Sequence, residues 1–217
     1  MLDAWALIPV SRPECIDNVR KNLARQRTPI KSCVVLNGRA ESLRPEGFDL
    51  VLRSKNHASH ARNAALVELR KQDAYVICFD DDDHYGPEYV TEHLQHARSG
   101  RIVGKRVHWV HWVGDCLRLY NVQHADQLAT VLIGASIAGF AVEMPDFRIL
   151  EVGEDDDLCR RFSGEKYASS VDNFVYVRRE DPMTHTYRCT RKHFEQHIQC
   201  YRELPESALE ALFSKEL

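Results

Sequence analysis

The stretch Val76-Ile77-Cys78-Phe79-Asp80-Asp81-Asp82-Asp83-His84-Tyr85-Gly86-Pro87 decides the fold. An apolar run stops at four consecutive aspartates, and Pro87 helps to open a helix soon afterwards. An uninterrupted apolar run bounded in this way reads as a strand buried on both faces, predicted over 74–79. In parallel α/β sheets, ligands bind beyond the carboxyl ends of such strands. Adjacent carboxylates repel one another, so something must neutralise them. In a solvated acidic loop, water does so. At a site, a divalent cation shared with substrate phosphates does so, and Mg²⁺ and Mn²⁺ prefer carboxylate oxygens. On alternation along the turn, Asp81 and Asp83 are the expected working pair, with Asp80 and Asp82 orienting the turn or touching a ribose. The Gly and Glu positions of a helix–loop–helix calcium loop are not matched.

Working outward, the runs at 4–10, 31–37 and 48–53 read as three further strands. Ile16, Val19 and Leu23 recur on one helical face, and Ala61, Ala64, Ala65 and Leu69 form a second, narrower one. Ser11 and Glu14 have the spacing of a capping box, with Pro13 tolerated in the first turn. Strands alternating with helices predict an α/β fold with a mostly parallel central sheet flanked by helices. Ser11, Asn37 and Asp80–Asp83 then share its carboxyl edge.

The second half is more mixed. Residues 101–113 and 115–122 predict a hairpin around Gly114, 132–142 is apolar and glycine-punctuated, 154–162 a short helix and 173–178 a strand. Residues 193–201 and 206–213 predict terminal helices separated by Pro205. The expected organisation is one domain over 1–190, with a nucleotide-binding half at 1–100 and an acceptor half at 101–190. A helical extension follows at 191–217.

With 217 residues, 44% hydrophobic and 28% charged, the chain suits a soluble globular protein. A net charge of −3 and a pI near 6.4 leave no whole-protein basic field to attract nucleic acid. The seven cysteines are odd in number, and none lies at the spacing of a zinc ribbon. They read as reduced, mostly buried thiols of a cytoplasmic protein. The first fifteen residues lack the basic start and the length of a signal peptide, and no segment reaches eighteen consecutive apolar residues.

A second acidic run, Gly153-Glu154-Asp155-Asp156-Asp157, suits two roles equally. It can complement a helix dipole, or it can supply a general base beside a metal-holding first cluster. Arg62 and Asn63 sit near the start of the second helix, either as surface polar residues or facing the sheet edge beside a helix N-terminus that favours phosphate. His185 is one of 11 histidines, and an imidazole can complete a Mn²⁺ site begun by carboxylates. The hairpin interleaves Arg101, Lys105, Arg106, His108, Trp109, His111, Trp112 and Arg118. It reads as a strand pair with one buried face or, as the lesser option, as an acceptor or nucleic-acid surface.

Taken in order, ALIPVSRP, VVLNG, SHARNAAL, VICFDDDDHYGPEYV, IGASIAGFAVEM, GEDDDLCRR and YVRRE leading to MTHTY resemble the family 2-like glycosyltransferases of the GT-A fold, over roughly residues 4–190. The resemblance implies a nucleotide-sugar donor, a UDP-sugar foremost, a Mn²⁺ or Mg²⁺ ion, and inversion at the anomeric carbon. It puts Pro9, Val10, Ser11, Asn37, Arg62, Asn63, Asp81 and Asp82 against the donor nucleotide, and Asp81, Asp83 and His185 on the metal. Gly134, Ala135 and Ser136 fall near the donor sugar or acceptor, and the catalytic carboxylates are Asp155, as the base, and Glu154. Members often carry an acidic residue that reads uracil where this chain has Asn37. The acceptor is expected to be a glycan or, as a minority option, a hydroxylated base in DNA. Two other classes stand beside this one: a nucleotidyltransferase, which would want a basic glycine loop near the N-terminus, and a non-catalytic nucleotide-sugar-binding module.

Overall fold

The computed structural model describes residues 2–55, 57–121, 132–150, 153–179 and 200–214. At its centre β1 (Ala4–Val10) is buried at every position. It lies between β2 (Lys31–Leu36) and β4 (Tyr75–Cys78), parallel to both, with β3 (Leu50–Arg53) parallel beyond β2. Helix α1 (Ile16–Arg25) links β1 to β2, and α2 (Ala58–Arg70) links β3 to β4. Side chains alternate between the two faces of a strand. Leu7, Cys33, Val35, Val76 and Cys78 pack with Ala61, Ala65, Leu66 and Leu69 of α2, while Ala6, Ile8, Val10, Val34 and Ile77 pack with Val19 of α1. Both faces are covered, so these strands are apolar without interruption.

The remaining elements in chain order are β5 (His84–Tyr85), α3 (Tyr89–Gln95), β6 (Arg101–Gly104), β7 (Val107–Trp112), β8 (Cys116–Asn121), β9 (Ala138–Phe140), α4 (Glu154–Arg161), β10 (Glu165–Ala168), β11 (Phe174–Arg178), β12 (Cys200–Pro205) and α5 (Ala211–Ser214). They build a larger sheet, β10-β6-β9-β4-β1-β2-β3, and a smaller one, β12-β8-β7-β11-β5. The fold is α/β, but the expectation of a mostly parallel sheet needs correction, because both sheets are mixed. In the larger sheet β9 runs antiparallel to β4 and β6. In the smaller one β8 is antiparallel to β7 and β12, and β5 to β11. The chain continues from β1 to β2 and β3 on one side, then returns to place β4 on the other side of β1. The order therefore reverses at the β1/β4 boundary, where open α/β sheets leave a crevice.

Three further expectations change. The strand predicted over 101–113 is two strands in different sheets, β6 and β7. Only the second forms the hairpin, which turns at Gly114 with φ +83°, a conformation that favours glycine. The C-terminal extension is not purely helical: Cys200–Pro205 is an edge strand paired with β8. The rest of the predicted 193–201 helix lies outside the described residues. The halves divided at residue 100 are also not separate, since each sheet takes strands from both. No helix among the described residues is long and apolar enough to cross a membrane. Burial raises the thiols of Cys33, Cys78 and Cys159 to about 12, which keeps them inert.

Much of the basic and aromatic character of the hairpin lies in the interior. Trp109, Trp112, His108 and His111 are buried. Lys105 is wholly buried, its ammonium 2.9 and 2.8 Å from the Glu92 carboxylate oxygens and 2.7 Å from the carbonyls of Ser170 and Asp172. Burial lowers His93 to about 4, helped by Lys105, and lowers His108 to about 3. The unfolded chain takes up these protons near 6.5 and the folded one does not. Their stabilisation is therefore present above pH 6.5 and lost as pH falls toward 4. Urea unfolding at pH 7 and pH 5 is expected to show a loss of about 2 kcal/mol per buried imidazole. His108→Phe should lose correspondingly less than the wild type between the two pH values.

Candidate active site

The aspartate turn follows β4 at the reversal crevice and is fixed there by α1. Asn18 donates through Nδ2 to the carbonyls of Asp81 and Asp83, both at 3.0 Å. One helical turn on, Asn22 donates to the Asp83 carbonyl at 2.8 Å and accepts from Tyr85 N at 3.1 Å. Across the crevice from the end of β1, Ser11 N donates to Asp81 Oδ2 at 3.1 Å. Ser11 is thus held by Asp81, and no capping bond with Glu14 forms. The chain enters a short 3-10 turn at Pro13–Cys15 with no side-chain cap.

The chain neutralises its own carboxylates. Arg62 Nη2 lies 2.7 Å from Asp80 Oδ1. Arg12 Nη2 bridges Asp81 Oδ1 at 2.7 Å and Asp82 Oδ2 at 2.8 Å, and Arg179 Nη1 approaches Asp82 at 3.4 Å. Asp83 is wholly buried. Its Oδ1 accepts from Val177 N at 2.9 Å, and its Oδ2 has no partner among the described residues. Desolvation, then the charge of Asp82, holds its carboxyl well above the usual carboxylate range. Guanidinium groups and burial, rather than a cation alone, therefore answer the repulsion. The parity of the turn puts the expected working pair, Asp81 and Asp83, on its more buried side. Asp81 and Asp83 face the interior, whereas the Asp80 and Asp82 side chains keep 28% and 12% of their surface open.

The second acidic run meets the first through Arg62. This guanidinium is buried, lies over the Phe147 ring, and pairs through Nη1 with Glu154 Oε1 at 3.0 Å. Because β9 is antiparallel to β4, the turn before it, Gly134–Ser136, lands at the carboxyl edge. Gly134 N donates to Asp155 Oδ2 at 3.0 Å, and Asp156 N to Asp155 Oδ1 at 2.9 Å. A Cβ on Gly134 would stand 3.2 Å from Asp155 Cβ and 3.6 Å from Arg62 Nη1, so a side chain there would have to push Asp155 back by a few tenths of an ångström. Desolvation and the neighbouring Glu154 raise the Asp155 carboxyl above its ordinary value, against the two backbone donors that lower it.

Tyr85 ties the two sides together. Its buried hydroxyl accepts from Asp80 N at 2.7 Å and donates to Ala135 O at 2.9 Å. Tyr85→Phe should cost about 1–3 kcal/mol, because it strands Asp80 N and leaves Ala135 O only a long bond from the Tyr89 hydroxyl at 3.4 Å. Chemical denaturation measures the loss.

Of the other expected site residues, Pro9 and Val10 are buried in β1 and end at the crevice. Asn37, buried at the end of β2, donates weakly to His57 O at 3.4 Å, and its Oδ1 has no partner. Asn63 does not face the edge: its amide satisfies both the N–H and the carbonyl of Phe147 at 2.7 and 2.8 Å. Ser136 is buried, receiving Lys105 N and donating to Ile133 O, each at 2.8 Å. His185 lies outside the described residues. A cleft of about 270 Å³ opens beside Asp82, lined by Asn18, His84, His111, Val177 and Arg179. A larger one, about 450 Å³, lies beyond β2 and β3, lined by Arg39, Arg44 and Arg53.

Among the described residues, no three His, Cys, Asp or Glu side chains converge as a metal cage. The donor set fits instead the manner of Mg²⁺ and Mn²⁺ with nucleotides, in which one or two carboxylates suffice and substrate phosphates and water complete the sphere. Asp80 and Asp82 are the partly open pair.

Comparison with protein-family models finds no match, and comparison with curated proteins finds none either. The reading of function rests on the chain's own geometry. Sequence reasoning missed Arg12, Asn18, Asn22, Tyr85 and Arg179. The one legible signal was the i, i+4 spacing of Asn18 and Asn22, which puts two amides on one helical face.

Proposed function

We propose that this chain is a metal-dependent glycosyltransferase of the GT-A type, moving a sugar from a nucleoside-diphosphate donor to an acceptor hydroxyl, with inversion. One observation carries the reading. The buried Arg62 joins Asp80 to Glu154, across 74 residues of sequence, at the point where strand order reverses and where Asp155 is held on Gly134 N. Two acidic groups with different surroundings suit two tasks. Asp80 and Asp82 would hold the cation, Mn²⁺ or Mg²⁺, whose charge offsets that of the diphosphate leaving group when bound. Asp155, its proton affinity raised, suits removal of the acceptor proton as the hydroxyl attacks. Arg62 holds the two carboxylate groups at fixed separation, and Asn18, Asn22 and Tyr85 hold the turn.

Incubation with a panel of nucleotide sugars and Mn²⁺ tests the proposal. Free nucleoside diphosphate, with the sugar gained by an acceptor or by water, supports it. Release of pyrophosphate instead would establish nucleotidyl transfer. Donor binding without turnover across the acceptor panel would establish a binding module. Mass spectrometry of a glycan and hydroxylated-DNA screen identifies the acceptor.

A further inference from the structure

We infer that Arg12 is a stand-in cation that makes metal binding conditional on the donor diphosphate, an inference that rests on the metal-dependent reading above. Arg12 follows the last residues of β1 in an extended conformation, φ −126° and ψ 119°, and reaches across the reversal crevice. A single nitrogen, Nη2, bridges Asp81 Oδ1 at 2.7 Å and Asp82 Oδ2 at 2.8 Å. Asp82 is one of the two carboxylates assigned above to the cation, so Arg12 already holds an oxygen that the ion would use. Arg12 is about one-sixth exposed, and Asp82 borders the 270 Å³ cleft, so the pair lies at the mouth of the site.

The competition follows from charge. A guanidinium and a divalent cation repel each other at contact distance, and both draw on the Asp82 carboxylate. Without a donor, the metal must displace Arg12 from Asp82 with no phosphate there to receive the guanidinium. With a donor, the diphosphate offers Arg12 a charge-assisted, forked partner and offers the metal additional oxygens. Asp81 keeps its bond from Ser11 N after Arg12 leaves, so the turn need not collapse. Metal and diphosphate then bind with positive coupling, and the chain does not hold a metal ion tightly while it waits for a donor. Couplings of this kind typically amount to about 5–150-fold in affinity.

The test is Mn²⁺ binding to the full chain, followed by the electron spin resonance of free Mn²⁺, with UDP as the diphosphate probe. Wild type should bind Mn²⁺ alone at least about 10-fold more weakly than its UDP complex does. Arg12→Gln should bind Mn²⁺ alone about 10-fold more tightly than wild type and lose most of the coupling. Arg12→Lys, which keeps the charge, should stay close to wild type. Equal Mn²⁺ affinity of Arg12→Gln and wild type, with both binding Mn²⁺ in the presence of UDP, overturns the inference and leaves the metal-dependent reading standing. No Mn²⁺ binding to any form, with or without UDP, overturns both. If Arg12→Gln does not fold, the wild-type measurement decides: Mn²⁺ binding as tight without UDP as with it overturns the inference.

Discussion

Replacing Arg62 by methionine is expected to cost about 3–5 kcal/mol of stability, the largest loss from any single substitution at the site. The guanidinium is 2% exposed and holds Asp80 at 2.7 Å and Glu154 at 3.0 Å. Its burial is unfavourable by itself, and the two carboxylates more than offset that, leaving it more firmly protonated than a free arginine. Methionine fills similar space against Phe147 but leaves two carboxylates facing each other across a partly buried gap. Urea unfolding gives the magnitude. A variant within about 1 kcal/mol of wild type would mean that Asp80 and Glu154 find water readily and that Arg62 does not bind the two clusters together. The double replacement Arg62→Met with Glu154→Gln should recover part of the loss, because one of the stranded charges is then gone.

Asp155→Asn is expected to lower transfer by about 10²–10⁴-fold while leaving donor affinity within a few-fold of wild type. The carboxylate accepts from Gly134 N and Asp156 N, and an amide can accept through one of its two positions only. The fold loses about one hydrogen bond, and the proposed reaction loses its base. Because burial and Glu154 raise the Asp155 carboxyl, the acid limb of kcat/KM should lie above the ordinary aspartate range and disappear in the variant. Steady-state rates across pH, together with donor titration, measure both. Near-normal transfer by Asp155→Asn would remove the base assignment, and lost donor binding would move Asp155 to a positioning role.

Much of the framework was legible because burial writes itself into composition. The strands at 4–10, 31–36 and 75–78 are apolar on both faces since helices cover both, and α1 and α2 show their inward stripes. The aspartates at the end of β4 therefore read correctly as sheet-edge residues. The strand direction of 138–140 was not legible: three residues with a glycine carry no directional signal, and only pairing with β4 and β6 makes that strand antiparallel. That reversal brings Gly134 to Asp155. The hairpin left two readings open for a related reason, since basic and aromatic residues in alternation look the same whether protein or solvent covers them. Lys105 is tolerated inside because Glu92 and two carbonyls surround its ammonium, and these partners come from α3 and the 170–172 loop.

The sequence by itself determined the α/β alternation, the edge at which chemistry-bearing residues collect, and the run of four carboxylates there. Only the tertiary structure decided which of the four aspartates remain open and what neutralises the rest. Side-chain parity depends on how Asn18 and Asn22 grip the turn. Charge balance depends on Arg12, Arg62 and Arg179, which lie 18 to 97 residues away and reach the turn through three different elements. Electrostatics acts through space at a few ångströms, and a linear chain records no such distances.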